Sequence, residues 1–384
     1  MGWEGVTVMD QRIRFISDYL EGFFPFTELC QHFGISRKTG YKWVKRYFEE
    51  GLVGLEDRSR APKHCPHRTE NRCEAELIQE RLRHPRWGPR KLLARLKRRY
   101  PDLPWPAVST AGAILKHHGL VKPRGRRRPR SMPSPPRIRA EAPNELWTVD
   151  FKGEFRTGDR QLCYPLTMVD YASRYFLSCK VRSSTATRHA RPVFEAVFEE
   201  FGLPRMILCD SGSPFGAART PRRLSRLAVW WIKLGIQPLC IQPGHPEQNG
   251  AHERLHRTLK AETARPPAPD FPTQQASFDR FRCEYNTERP HEALEMRTPA
   301  EFYKPSPRPY PEKLPEVEYP GHYEIRRVDR AGVLYWKGRR IFISEIFHGE
   351  PIGFEEINDG LWSVYFAQVL LGRYDEREDD FKGL

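Results

Sequence analysis

Three acidic residues fall in settings where they could hold a divalent cation. Asp150 lies in LWTVDFKGEF, where Trp147, Val149 and Phe151 alternate with polar neighbours, the period of a β-strand. Asp210 ends the apolar run MILCDSG, which predicts a buried strand opening into a loop. Glu253 lies in PGHPEQNGAHERLHRTLK (243–260), where the breakers Pro243, Gly244 and Pro246 give way to a helical run. On that helix Glu253, Arg257 and Lys260 share a face, with His256 beside them. Two strand aspartates and one helix glutamate make an all-oxygen donor set, the kind Mg²⁺ takes together with substrate phosphates. Two such ions, about 3.5–4 Å apart, stabilise both the attacking and the leaving oxygen of an in-line phosphoryl displacement. Taken alone, the helical run reads equally well as a solvated face; the chemistry rests on the three acids together.

The motifs TVDFKGEF, LCDSGSPF, PGHPEQNGAHERLHRTLK and YNTERPHEALEMRTPAEFY together resemble the DDE transposases of bacterial insertion sequences. These share a catalytic core with retroviral integrases, and the resemblance runs from the N-terminal helices to about Tyr303. It implies a catalytic and metal-binding triad of Asp150, Asp210 and Glu253, with two Mg²⁺ or Mn²⁺ ions as cofactor. It implies element-end and target double-stranded DNA as partners, and a homodimer or higher oligomer on that DNA. The interval from Asp210 to Glu253 is longer than is usual in this superfamily; the excess, AARTPRRLSR between Phe215 and Leu227, reads as a surface insertion. Glu247 is a rival third ligand. Glu253 is preferred because it lies in the helical run with Arg257 and Lys260.

Composition fits a polyanion partner. The 384 residues carry a formal net charge of +15, which speaks to partners and not to fold. Nucleic acid is the first candidate and an anionic membrane surface the second. No run reaches the roughly 18 apolar residues of a membrane-spanning helix. MGWEGVTVMDQR lacks a basic head followed by an apolar stretch, so no secretory leader is expected. Of the eight cysteines, Cys163, Cys179, Cys209 and Cys240 fall in apolar strand-like stretches. They read as small core residues in a reducing cytosol; the expected location is the bacterial cytoplasm, associated with the nucleoid. His64, Cys65, His67 and Cys73 are the residue types of a zinc site, but there is no CxxC pair and the spacing fits no common zinc pattern.

The elements that position the acids come next. The expected class is multidomain α+β: N-terminal helix-turn-helix modules, a ribonuclease-H-like α/β catalytic core implied by the resemblance, and a C-terminal small β-barrel. Residues 1–60 predict the first module: Thr27 and Ser36 are capping residues, Gly34 marks the turn, and a second helix carries Tyr41, Trp43, Val44 and Phe48. In such modules the second helix enters the major groove, which makes Arg37, Lys38, Thr39, Lys42 and Lys45 the candidate DNA contacts. Residues 69–121 predict a second helical module, with Arg90 and Lys91 as candidates. Residues 122–143 predict a basic, Pro-rich tether: Lys122 to Arg139 holds eight Lys or Arg, five Pro and no acid. Arg126, Arg127 and Arg128 would follow a DNA backbone there, and Arg257 and Lys260 would hold phosphates near the acids.

Residues 144–303 predict the core: three strand-like runs (LWTVDFKGEF, LCYPLTMVD, RYFLSCKV), helix 190–201, the Asp210 strand, a helix near 223–234, the strand IQPLCIQ, then the Glu253 helix. Tyr285, Asn286, Arg289, Pro290 and His291 match the family's closing motif and are expected to pack, not react. Short β-runs over 315–375, punctuated by Gly332, Gly338, Gly353 and Gly360, predict the small barrel; its Arg326, Arg327, Lys337, Arg339 and Arg340 are further potential DNA contacts. The function that follows is a transposase that binds element ends, cuts them in a metal-dependent step and transfers the strand. The alternatives are a nuclease of the same fold without strand transfer, and an inert DNA-binding regulator.

Overall fold

The computed structural model describes residues 7–58, 68–121, 140–217, 219–241 and 246–384. The chain divides into two units, Met1–Arg68 and Thr69–Leu384.

The first unit is three helices, α1 (Val8–Glu21), α2 (Phe26–His32) and α3 (Arg37–Glu50). Thr7 and Asp10 form a capping box on α1, and the Ser36 hydroxyl caps α3 by accepting from the Thr39 N–H. Gly34, at φ 63°, makes the left-handed turn between α2 and α3. Phe15, Ile16, Leu29, Cys30, Trp43, Val44 and Leu55 form the core. Gly40 is required in α3: a Cβ there would lie 2.7 Å from the Cys30 Sγ. Thr27, expected to cap, lies inside α2, whose N-cap is Pro25.

The second unit opens with α4 (Asn71–Arg83), α5 (Pro89–Arg99) and α6 (Val108–His117), closed over Leu77, Trp87, Leu92, Leu93, Leu96, Ala111 and Leu115. Charged side chains tie this trio to the body that follows. His84 Nδ1 is 3.0 Å from Glu284, Arg95 is 2.5 Å from Glu288, and Arg98 reaches Glu301 and the Met296 carbonyl, each at 2.9 Å.

The body contains β1 (Leu146–Phe151), β2 (Phe155–Arg156), β3 (Leu162–Cys163), β4 (Leu166–Asp170), β5 (Phe176–Lys180), α7 (Thr187–Phe201), β6 (Met206–Cys209), α8 (Arg226–Lys233), β7 (Gln237–Cys240), α9 (Gly250–Thr263) and α10 (Phe271–Thr287). Its five-stranded sheet has the order β5-β4-β1-β6-β7. β1, β4 and β5 pair antiparallel, and β6 and β7 join them in parallel. This is the mixed sheet expected of a ribonuclease-H-like core. Two expected strands are each split, because Gly153 takes φ 82° after β1 and Pro165 interrupts the run between β3 and β4. α10 guards the edge strand β5: Gln275 and Asn286 exchange amide hydrogen bonds with the backbone of Cys179, Val181 and Phe176. Asn286 therefore packs, as do Tyr285 and Arg289, both buried.

The C-terminal part comprises β8 (Glu324–Arg327), β9 (Val333–Trp336), β10 (Arg339–Phe342), β11 (Pro351–Asn358), β12 (Leu361–Phe366), β13 (Val369–Asp375) and β14 (Asp380–Gly383). It is an open five-stranded sheet, β14-β13-β12-β11-β8, with a separate β9–β10 hairpin. Of the expected small barrel the structure has the antiparallel sheet but not its closure: β8 and β14 are edges and do not pair with each other. Closure is not needed to bury the sheet, because Trp336, Phe354, Val364 and Tyr374 join one apolar core with Trp147, Phe198 and Trp231 of the body. The insertion before α8 is also not a free surface loop. Pro221 and Leu224 are buried, the Arg222 guanidinium donates to the Leu370 carbonyl at 3.0 Å, and the Arg222 N–H donates to the Leu384 carbonyl at 2.6 Å. Among the described residues no helix is long and apolar enough to cross a membrane.

Candidate active site

β1 and β6 run parallel with Thr148 opposite Leu208. Carried on by two residues, that register sets Asp150 level with Asp210, one strand apart at the same end of the sheet. Neighbouring strands lie about 4.7–4.9 Å apart, so the two carboxylates face one small volume. Glu253 stands in the first turn of α9 and is exposed. Asp150 feels both of the other acids. Burial first, then the charge of Asp210 and that of Glu253, raise its carboxyl from 3.8 to about 7, against a lowering hydrogen bond from the Phe151 N–H. Burial also raises Asp210, whose Oδ1 accepts from the Gly212 N–H at 3.3 Å.

Among the described residues no group of three His, Cys, Asp or Glu side chains is close enough to hold one ion. The two strand acids are set side by side; the helix acid is within electrostatic reach of Asp150 and stands apart. The donor set still suits a hard cation. Burial and then the neighbouring Asp210 charge favour the protonated form of Asp150, and a divalent charge would offset both.

α9 is held to the sheet by a polar cluster that the sequence reading passed over. The Thr167 hydroxyl donates to the Asp150 carbonyl at 2.8 Å and lies 2.7 Å from Nε2 of both His252 and His256. A hydroxyl has one proton, so both imidazoles donate to it through Nε2. His252 Nδ1 then accepts from the Thr148 hydroxyl at 2.8 Å. His256 Nδ1 is left facing Asp150 Oδ2 at 3.6 Å, too long for a hydrogen bond. Burial keeps both rings neutral: His252 is lowered to about 3 and His256 well below 6.5. The signal in the sequence was the i, i+4 pair His252/His256, which shares one face of α9 next to that of Glu253 and Arg257; only His256 was noted there, as a neighbour of the polar stripe.

Basic groups surround the acids. Lys152, two residues beyond Asp150, is lowered mainly by burial and then by Lys260 and Arg265. It therefore shares a positive neighbourhood with Lys260, which is half-buried, while Arg257 is exposed. In the first unit Arg37, Lys38, Lys42 and Lys45 are exposed on α3, and Thr39 is half-buried with its N–H given to Ser36. Lys42 lies over the Trp43 ring at 4.4 Å and Lys45 is 3.7 Å from Glu49. Arg90 is exposed at the start of α5. Lys91 turns inward: burial and then Arg289 lower it to about 8. Arg126, Arg127 and Arg128 lie outside the described residues, as do His64, Cys65 and His67 and the side chain of Glu247. Cys73 is buried in α4, its Sγ 3.8 Å from the Pro104 carbonyl.

Known proteins align with each part of this arrangement. Models of the integrase core domain match residues 140–246 and 234–299. A helix-turn-helix domain model matches 11–63 and a homeodomain-like domain model matches 39–115. A model of the IS481 family transposase C-terminal domain matches 323–382. The 31.7 kDa protein of insertion element IS407 from Burkholderia multivorans is 27% identical over 259 residues, covering 65% of this chain and 87% of that protein. The Gag-Pol polyprotein of baboon endogenous virus is 30% identical over 129 residues, covering 34% of this chain; the chain spans 7% of that polyprotein. Among solved structures, a simian T-cell lymphotropic virus intasome is similar at TM-score 0.38 and 16% identity, covering 77% of this chain and 97% of that one. The HTLV-2 integrase catalytic core with magnesium is similar at TM-score 0.35 and 15% identity, covering 43% of this chain and 100% of that one.

Proposed function

We propose that the chain is an insertion-sequence transposase built on an integrase core domain, as its matches to integrase core and transposase models support, and that it binds the ends of its own DNA element, cuts them and joins the freed 3′ ends to target DNA. The observation that carries this reading is the level placement of Asp150 and Asp210 on adjacent parallel strands, with Glu253 near enough to raise Asp150. Asp150, Asp210 and Glu253 would hold Mg²⁺ or Mn²⁺, two ions in the working complex. When bound, these ions supply charge stabilisation for the attacking and leaving oxygens of an in-line displacement. Phosphoryl transfer of this kind rests on positioning and electrostatics.

The chain's own residues supply the positioning. Arg257 and Lys260 on α9, with Lys152 beside them, hold end DNA by its phosphates as counterions leave. Arg37, Lys38, Thr39, Lys42 and Lys45 on α3 present the first module to the major groove. Arg90, with Arg126, Arg127 and Arg128 of the basic stretch, extends the phosphate contacts. His252 and His256 fix the slope of α9 against β1 through Thr148 and Thr167, so that Glu253 enters the site from a defined direction. Joining two ends in one event calls for at least two copies of the chain.

A strand-transfer assay decides the reading. Labelled duplexes from the DNA flanking the chain's own reading frame are incubated with target plasmid in Mg²⁺. Joined products are expected. Cut ends without joined products identify a nuclease, and bound but uncut ends identify a regulator; either result contradicts the proposal.

A further inference from the structure

We propose that Cys209 and Cys240 form a redox-modifiable dithiol, closed to a disulfide by peroxides, that shuts the carboxylate site. The two residues are direct partners across the parallel pair β6–β7, and the Cys209 thiol donates to the carbonyl of Leu239, the residue before Cys240, at 3.6 Å. Registered residues of parallel strands point to the same face of the sheet, so both sulfurs lie on one side. Their strand ends are held fast: the Ile241 N–H donates to the Cys209 carbonyl at 3.0 Å and the Ser211 hydroxyl donates to the Ile241 carbonyl at 2.9 Å. Exposure is unequal in the useful sense. Cys240 is exposed on the edge strand, and Cys209 is fully buried behind it. An outer thiol meets the oxidant and an inner thiol resolves it. Cys163 and Cys179 are both buried and lack that outer member, and Cys283 is exposed.

The chemistry balances without a cofactor. The Cys240 sulfur attacks one oxygen of hydrogen peroxide, the O–O bond breaks, and Cys240 sulfenic acid and one water result. The Cys209 sulfur then attacks the sulfenic sulfur, the S–O bond breaks, and the disulfide and a second water result. Two thiols have lost two electrons to the peroxide, and a dithiol reductant reverses the step by exchange. The consequence is local. A disulfide draws its Cβ atoms to about 3.5–4.5 Å, closer than the roughly 4.7–4.9 Å between neighbouring strands. That contraction falls one residue before Asp210, at the end of the strand that leads towards α9. Misplacing a reacting group by about 1 Å can cost on the order of 100-fold in rate.

This inference rests on the proposed nuclease and strand-transfer activity for its consequence, and its chemistry is read separately. The full chain carrying Cys283→Ser is treated with hydrogen peroxide, alkylated and mapped by mass spectrometry. End cleavage in Mg²⁺ and end binding are measured before treatment, after it, and after dithiothreitol. The expected result is a Cys209–Cys240 disulfide, cleavage reduced about 100-fold with end binding unchanged, and recovery on reduction. Adding Cys240→Ser to that chain should leave cleavage resistant to peroxide. Both thiols alkylated after treatment, a disulfide without loss of cleavage, or equal inhibition of the Cys240→Ser protein overturns the proposal. Failure of the reduced protein to cleave at all would instead contradict the activity, and the disulfide map would still report on the pair.

Discussion

Nδ1 of His256 stands 3.6 Å from Oδ2 of Asp150. The ring is held neutral by burial and its Nε2 proton is committed to Thr167. What faces the carboxylate is therefore a lone pair, which leaves Asp150 either protonated or turned to a cation. His256→Ala removes a donor to Thr167 and loosens α9 over the site. It is expected to destabilise the fold by about 1–3 kcal/mol and to reduce cleavage about 10–100-fold, as is usual for groups that orient metal ligands. His256→Gln, which keeps a donor at the Nε2 end, should recover most of the stability. Wild-type cleavage by the Ala variant would show that the ring does not position Asp150.

The raised carboxyl of Asp150 has a sign that stability measurements can read. Its folded value of about 7 lies above 3.8, so between those values the folded chain keeps a proton that the unfolded chain has lost. The stabilising contribution is complete below 3.8 and is lost as pH rises through 7. Asp150→Asn carries no charge and escapes that loss. In metal-free urea unfolding its advantage over wild type should grow by about 2 kcal/mol from about pH 5.5 to about pH 8, at about 1.4 kcal/mol per pH unit up to 7. In the wild type the concentration of Mg²⁺ needed for half-saturation should fall over the same window, because proton and cation compete for one group. A pH-independent difference would contradict the raised value.

The three helices α4–α6 are braced by a buried acid. Glu80 is 1% exposed and sits 2.7 Å from Nε of Arg95. Glu80→Ala leaves Arg95 without its inner partner while Glu288 still holds it at 2.5 Å. The expected cost is about 3 kcal/mol, the low end of the range for breaking a buried pair. Thermal unfolding checks it; an unchanged melting temperature would contradict the bracing role.

The exposed cations of α3 give a salt signature. Arg37→Ala, Lys38→Ala or Lys42→Ala should each reduce the slope of log affinity against log salt for end DNA by about 1 if the residue meets a phosphate. A variant that weakens binding at one base position and keeps the slope has lost a base contact. Binding unchanged in all three would move recognition away from α3.

Much of this was legible in the residues. The alternation around Asp150, the closed apolar run before Asp210 and the helical run through Glu253 each follow from side-chain period alone, and each lies on the expected element. The Ser36 cap and the Gly34 turn were legible for the same reason: short-range chemistry decides them. What stayed hidden depends on long-range packing. His252 and His256 look polar in sequence, and only the meeting of α9 with β1 and β4 buries them against Thr148 and Thr167. Lys91 looks like a DNA contact, and only the docking of α5 beside Arg289 turns it inward. The C-terminal strands carry barrel-like punctuation, yet the sheet stays open: Trp336 of the β9–β10 hairpin packs on Phe354, Trp362 and Tyr374 of the sheet, a covering that no local pattern reveals.

The central claim is that Asp150, Asp210 and Glu253 act as one site on DNA phosphates. Single-turnover cleavage of an end duplex in Mg²⁺ tests it most directly, with wild type compared against Asp150→Asn, Asp210→Asn and Glu253→Gln and end binding measured alongside. The prediction is unchanged binding, with cleavage reduced about 1,000-fold or more in each variant, about 4 kcal/mol of lost transition-state stabilisation. Cleavage within a few-fold of wild type by any one of the three would contradict it.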